Sequence, residues 1–150
     1  MHYIYIINDF LVTDQDKIKA EEIVKILLNK KIWVYTPSTP NLKKMQPEDK
    51  VVVYMAGEKR KKFVGYFEIA EDINKHNFNG NTEEEEYIFN LFPLAASIKN
   101  IQLFETPIYI KDIKNDLEFI KDKKNYGVFL RSSVRAVSEK DFERILIHTN

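Results

Sequence analysis

Trp33, Tyr35, Tyr54 and Tyr66 put large rings on apolar runs, accompanied by small hydrogen-bonding side chains at Thr36, Ser38, Asn41, Ser132 and Ser133. A planar heteroaromatic group can stack on such rings while a hydroxyl or carboxamide reads its edge. For a nucleobase, stacking contributes roughly 1–3 kcal/mol. The same rings could equally be ordinary core and strand surface. Two basic clusters, Lys59-Arg60-Lys61-Lys62 and 121–124 (broken by Asp122), could grip phosphates or simply solvate turns.

Other chemistry finds less support. With only four glycines, none at GxGxxG or GxxxxGK spacing, there is no phosphate-cradling loop. The three histidines, His2, His76 and His148, have no metal-ligand spacing, so no metal or other cofactor is expected. Cysteine is absent, which removes thiol nucleophiles, thiolate metal sites and disulfides. Glu71-Asp72 and the acidic run 83–86 read first as solvated charge and a helix start. Ser132 and Ser133 beside Arg131 have no evident general base. No pattern points to catalysis, and a non-enzymatic role is expected.

The elements that must hold these residues follow from periodicity. Six residues of apolar and aromatic character, 2–7, read as a buried strand. An amphipathic helix is expected over residues 15–29, capped by Thr13 or Asp14. Strands are expected over 32–36, 50–56 and 62–71, with Phe63, Gly65, Phe67 and Ile69 on one face. Gly65 within a strand suggests a bulge or close backbone approach. A helical turn at 41–45, a turn at 46–49 and a basic hairpin loop at 57–61 connect them. Further along, the pattern predicts a loop over 73–81, a short helix from Glu83 and strands at 95–104 and 107–110. A short helix at 112–120 and a strand at 127–131 follow. Ser138 caps a last helix, 139–147, in a capping-box variant with Asp141 in place of the usual Glu or Gln. Strands interspersed with helices favour an α+β domain. The length, 150 residues, suits one domain spanning residues 1–150, with 44% apolar residues for one core. Net charge is zero, unlike a dedicated non-specific nucleic-acid binder. No apolar run spans a membrane and the N-terminus does not resemble a signal peptide, so a cytoplasmic location without membrane partners is expected.

Several segments together resemble the EVE domains, part of the PUA-like superfamily that also holds YTH and ASCH domains. They are Asn29-Lys-Lys-Ile-Trp33, Asn41-Leu-Lys-Lys-Met-Gln-Pro-Glu-Asp-Lys-Val-Val-Val-Tyr54 and Phe63-Val-Gly-Tyr-Phe-Glu-Ile69. To these are added Ile113-Lys-Asn-Asp-Leu-Glu-Phe-Ile-Lys-Asp-Lys-Lys-Asn-Tyr-Gly127 and Val134-Arg-Ala-Val-Ser-Glu-Lys-Asp-Phe142. The chain departs from the family in its first strand, where Ile4 or a neighbouring tyrosine stands for the usual tryptophan. It departs again at Glu48, where a turn glycine is usual.

The resemblance implies a curled, mixed β-barrel of five to six strands with peripheral helices. It also implies a reader that flips a modified, methylated base of DNA into an aromatic pocket. By position, Trp33 and Tyr54 become cage candidates and Asn41 and Ser133 edge contacts. Lys124 and Arg131 become phosphate or base contacts, and Phe129 cage or core. Tyr35 joins the pocket, and Lys59, Arg60 and Lys61 join the backbone contacts, on the residue reading above. Family members occur alone or as recognition modules of modification-dependent restriction systems, so a fused or associated motor or nuclease is a further expectation. Two alternatives stay open: a module for modified or structured RNA, and an ASCH-like nucleotide-processing enzyme using Glu68, Glu71 or Asp72.

Overall fold

The computed structural model describes residues 1–149. Its strands are β1 (His2–Ile7), β2 (Phe10–Leu11), β3 (Lys17–Ile18), β4 (Ile32–Tyr35), β5 (Lys50–Met55), β6 (Lys62–Ile69), β7 (Asn74–Lys75), β8 (Leu94–Tyr109) and β9 (Val134–Val137). The helices are α1 (Ala20–Lys30), α2 (Glu83–Leu91), α3 (Ile110–Ile113) and α4 (Glu139–Leu146), with 3-10 turns at Leu42–Lys44, Lys114–Asp116 and Tyr126–Leu130. Six strands run β4-β8-β6-β5-β1-β9, and β7 pairs alongside β8. Among the described residues only β1 and β5 pair in parallel; the other ladders are antiparallel. The result is a curled mixed half-barrel with helices around it, as the sequence implied.

Alternation along the strands creates two cores. Tyr3, Tyr5 and Ile7 of β1 and Val51, Val53 and Met55 of β5 point into the curl with Trp33, Val34, Tyr35 and α1. Ile4, Val52 and Tyr54 point outward, where α3, α4 and the 117–130 segment cover them. The 16-residue β8 produces the curl: its first part pairs with β4 while it also runs along β6. Irregularities in the β6–β8 register bend it, one of them at Asn100 with φ 52°. The sequence pattern split this strand into 95–104 and 107–110, whereas it is one strand whose register against β6 shifts between Leu103 and Ile108.

Gly65 explains a second difference. It lies where β6 slips against both neighbours, and the slip reverses the side-chain phase. Phe63 therefore packs in the outer core while Phe67 and Ile69 pack inside, rather than all on one face. A Cβ at Gly65 would sit 3.1 Å from the Gln102 carbonyl oxygen.

Local hydrogen bonding accounts for the shifted helix start. Thr13 Oγ1 accepts from the amides of Gln15 and Asp16, at 3.2 and 3.0 Å, which closes the β2–β3 hairpin instead of capping a helix. The helix begins at Ala20, whose amide donates to Asp9 Oδ1 at 2.9 Å. Thr82 and Ser138 do cap α2 and α4. The expected strand at 127–131 is instead the 3-10 turn Tyr126–Leu130, and the expected helix at 112–120 is α3 plus a 3-10 turn. Glu48 holds φ 77°, the left-handed conformation that makes glycine the usual residue in this turn.

Asp141 departs from capping-box geometry. It is 1% exposed, and its two carboxylate oxygens accept from the amides of Glu118 and Phe119 at 2.8 and 2.9 Å. It thus fastens the 117–119 segment to α4. Asp141→Ala would leave two amides unpaired and should cost about 3 kcal/mol in urea unfolding. Gly65→Ala should cost about 1–3 kcal/mol in the same measurement, because the neighbouring backbone must shift.

Candidate functional site

The inner core ends in a cleft at the C-terminal end of β1. Trp33 stacks on Phe67 with ring centroids 5.3 Å apart at 29°, and Tyr5 packs against both. The Tyr5 hydroxyl donates to Met45 Sδ at 3.2 Å, which leaves the Tyr35 hydroxyl to donate to the Tyr5 oxygen at 2.8 Å. Burial pushes both phenols above their ordinary range, so both stay protonated. Above this layer, Trp33, Tyr35, Phe10, Phe92, Leu27 and Val134 line a cleft of about 90 Å³, with Asn8, Thr39 and Ser133 also in its wall. Phe10 and Phe92 pair at 5.2 Å. Its volume lies far below the roughly 300 Å³ at which drug-sized pockets begin, and it suits one small planar group.

Two polar groups of the cleft wall, both on solvent-exposed residues, make no hydrogen bond to the described residues. Asn8 Oδ1 accepts from the Asp9 amide at 2.8 Å and from Arg60 Nη1 at 3.4 Å. Its Nδ2, and the Ser133 hydroxyl, have no protein partner among the described residues. The Ser133 carbonyl accepts from the Ile6 amide at 2.8 Å, which fixes the segment before β9 against β1.

The cleft thus joins three of the residues singled out from sequence, Trp33, Tyr35 and Ser133. Asn41 is half-buried at the start of a 3-10 turn with φ 62°, two residues beyond Thr39. Tyr54 lies on the opposite face of the sheet, edge-on to Phe63 at 5.1 Å. Phe129 packs on that outer core too, 5.9 Å from the Arg135 guanidinium. Lys59, Lys61, Lys124 and Arg131 are exposed. Arg60 has turned inward. Nε and Nη2 donate to Glu21 at 2.9 and 2.6 Å, and Nη2 reaches Asp9 at 2.7 Å. Nη1 faces Asn8 Oδ1 and the Ala56 carbonyl, both at 3.4 Å. All five guanidinium hydrogens are engaged, so Arg60 pins its loop and has none to offer a phosphate.

Asn8, Phe10, Thr39 and Phe92 escaped the sequence reading. Asn8-Asp9 directly after the first strand was a usable sign, since short polar residues often sit where a strand ends above a pocket. Phe92 had none, because its place depends on α2 folding back.

Glu68, Glu71 and Asp72 lie elsewhere. Glu68 accepts from the Tyr66 hydroxyl at 2.5 Å, which holds its carboxyl below the ordinary range. Glu71 accepts from the Ser97 amide at 2.9 Å. None of the three lines the cleft. Among the described residues no group of three His, Cys, Asp or Glu is placed to hold a metal, and no helix is long and apolar enough to cross a membrane.

The curled mixed half-barrel with helices around it is a PUA-like fold. Human THYN1, solved in complex with 5-methylcytosine-containing DNA, shares the fold with TM-score 0.62 and 13% identity, covering 97% of this chain and 95% of that one. The N-terminal domain of Staphylothermus marinus McrB matches with TM-score 0.53 and 10% identity, covering 98% and 93%. Within that class the chain belongs to the EVE domain family, whose model matches residues 13–148. A UPF0310 protein of Pyrococcus abyssi is 28% identical over 132 residues, covering 81% of this chain and 88% of the relative.

The Arg60 network has a pH signature. Arg60's hydrogen bond holds the Glu21 carboxyl below its ordinary 4.5. Burial pushes Asp9 up, but the Ala20 amide, Arg60 and Lys17 together bring it below 3.8. Depressed carboxylates stabilise above their unfolded pKa, and that contribution is lost as pH falls through the folded value. Arg60→Ala should therefore lower the urea midpoint at pH 7, and its difference from the parent protein should shrink steadily below pH 4.5.

Proposed function

We propose that this protein reads a single modified base, taking it out of a DNA strand and into the cleft beside Trp33. The observation that carries this reading is the combination of ring walls with the unengaged Asn8 Nδ2 and Ser133 hydroxyl. A methyl group alone adds roughly 1 kcal/mol of apolar burial, so polar contacts to the base edge must supply the rest of the selectivity. Trp33 and Tyr35 shape the walls, and Phe10 and Phe92 extend them. Asn8 and Ser133 donate to the edge, with Thr39 and Asn41 beside them. Arg131, Lys59, Lys61 and Lys124 contact the phosphates. Tyr54 and Phe129 hold the outer core behind the site.

The fold of THYN1, seen with 5-methylcytosine DNA, supports the choice of modified DNA. The likeness to the McrB N-terminal domain supports a recognition module serving a motor or nuclease carried elsewhere. The position of Glu68, Glu71 and Asp72 outside the cleft supports binding over catalysis.

Trp33 also stacks on Phe67, so its removal would report on stability as much as on recognition. The rim makes a cleaner test. Fluorescence anisotropy with matched duplexes carrying cytosine, 5-methylcytosine or N6-methyladenine should show a preference for one modified duplex. Asn8→Ala and Ser133→Ala should each reduce that preference about tenfold while the proteins stay folded. Equal affinity for every duplex, or no binding at low salt, would sink the reading. Tighter binding of RNA of the same sequence would redirect it to RNA.

A further inference from the structure

A second depression, of about 210 Å³, is lined by Lys59, Arg60, Lys61, Tyr109, Lys111 and Tyr126, with Ile110 as its apolar lining. No carboxylate lines it. Lys62 and Lys111 bring their ammonium groups within 5.7 and 5.8 Å of the Tyr109 ring centre, and Lys114 lies 5.0 Å from that of Tyr126. Lys59, Lys61, Lys62, Lys111 and Lys114 form no ion pair among the described residues. Elsewhere lysines do find carboxylates, as Lys30 does at Glu85 and Lys140 at Glu118. Lys59, Lys61 and Lys111 line the depression while Lys62 and Lys114 sit over its two rings; like charges gathered there repel one another, and a bound anion relieves that repulsion.

The depression is also built rather than incidental. Lys59 and Lys61 hold φ 66° and 55°, a region that non-glycine residues seldom occupy. Between them Arg60 anchors the loop through Asp9, Glu21 and Asn8. The Ile110 amide donates to the Lys61 carbonyl at 2.9 Å, and Lys62 pairs with Tyr109 in the β6–β8 ladder. Ile110 and Tyr126 belong to the outer core in which Tyr54 and Phe63 pack edge-on. Tyr109 remains 38% exposed, so part of its ring reaches solvent beside the two lysines.

We infer that this depression is a second nucleotide site, which stacks one unpaired base on Tyr109 or Tyr126 and holds its phosphate between Lys59, Lys61 and Lys111. Lysine and tyrosine together match both halves of a nucleotide: a ring for the base and point charges for the phosphate. The Asn8–Arg60 contact links this depression to the cleft rim, since Asn8 lines one and Arg60 the other. The occupant is the nucleotide next to the one in the cleft, unpaired by the same extrusion. The inference deepens the reading of the cleft and rests on it; a free nucleotide would present the same chemistry.

Three probes separate the possibilities: a labelled single-stranded thymidine oligonucleotide, its base-less counterpart of equal charge, and thymidine monophosphate. The base-bearing strand should bind more tightly than the base-less one. Tyr109→Ala and Tyr126→Ala together should weaken it about fivefold or more and leave the base-less strand unchanged. Lys111→Gln should lower the slope of log affinity against log salt by about 0.7, as expected for one lost phosphate contact to a single strand. Lys75→Gln, on β7, should leave binding unchanged. Monophosphate binding that depends on the tyrosines supports the site and assigns it to free nucleotides as well. Equal affinity for the two strands, or tyrosine variants that bind as the parent does, overturns it. Preference for a modified duplex that survives in those variants isolates the failure to this site, whereas a parent protein that binds no oligonucleotide at all overturns both.

Discussion

The Tyr35–Tyr5–Met45 relay is the constraint on which the rest of the structure depends. Two phenol oxygens lie deep inside an apolar curl, and an unpaired hydroxyl there would cost several kcal/mol. They satisfy each other only if β4 lies over β1, across the interior of the half-barrel. That placement brings Trp33 down onto Phe67 and leaves its remaining surface at the cleft. The curl needs a strand able to serve both β4 and β6. The length of β8, its register slips and Gly65 supply it. Fold and cleft therefore have a common origin: the packing that closes the barrel also builds the wall of the site.

The two faces of the sheet divide the labour. The inner face carries the rings of the cleft. The outer face carries Tyr54, Phe63 and the helical segments that Asp141 fastens together. Arg60 joins the two sides at the rim. By engaging Asp9, Glu21 and Asn8 it positions the cleft's Asn8 and presents Lys59 and Lys61 to either side. One inward arginine thus lets two outward lysines occupy a backbone conformation they would otherwise avoid. The charge around the site is local, and the zero net charge of the chain conceals it.

Much was legible in sequence where a signal is local. Apolar alternation located β1, β4, β5 and β6; Ser138 and the Glu83 run located two helix starts; Gly65 announced a bulge. The resemblance carried by Trp33, Asn41–Tyr54 and Phe119–Gly127 led to the EVE family and its curled barrel. Local signals misled where the partner was distant. Thr13 looked like a cap and closes a hairpin, while Asp9, from the link between β1 and β2, accepts from the first amide of α1. Residues 127–131 have strand composition yet form a 3-10 turn, because their apolar side chains cover the outer core instead of entering a ladder.

The sequence by itself determined the class of fold, the presence of Trp33, Tyr35 and Ser133 among the residues of interest, and the poverty of catalytic groups. These follow from residue type and short spacing. The tertiary structure alone decided which rings share a cavity. Trp33 and Tyr54 are both strand aromatics, but strand parity and the sheet's two-sided core place them on opposite faces. It alone brought Asn8, Phe10, Thr39 and Phe92 to the same cleft, from three separate stretches of chain. It alone turned Arg60 inward and left its neighbouring lysines free. The physical reason is the same each time. Side-chain direction within a strand is a local property, whereas the identity of the neighbour across a curled sheet depends on register, bulges and the long return of β8.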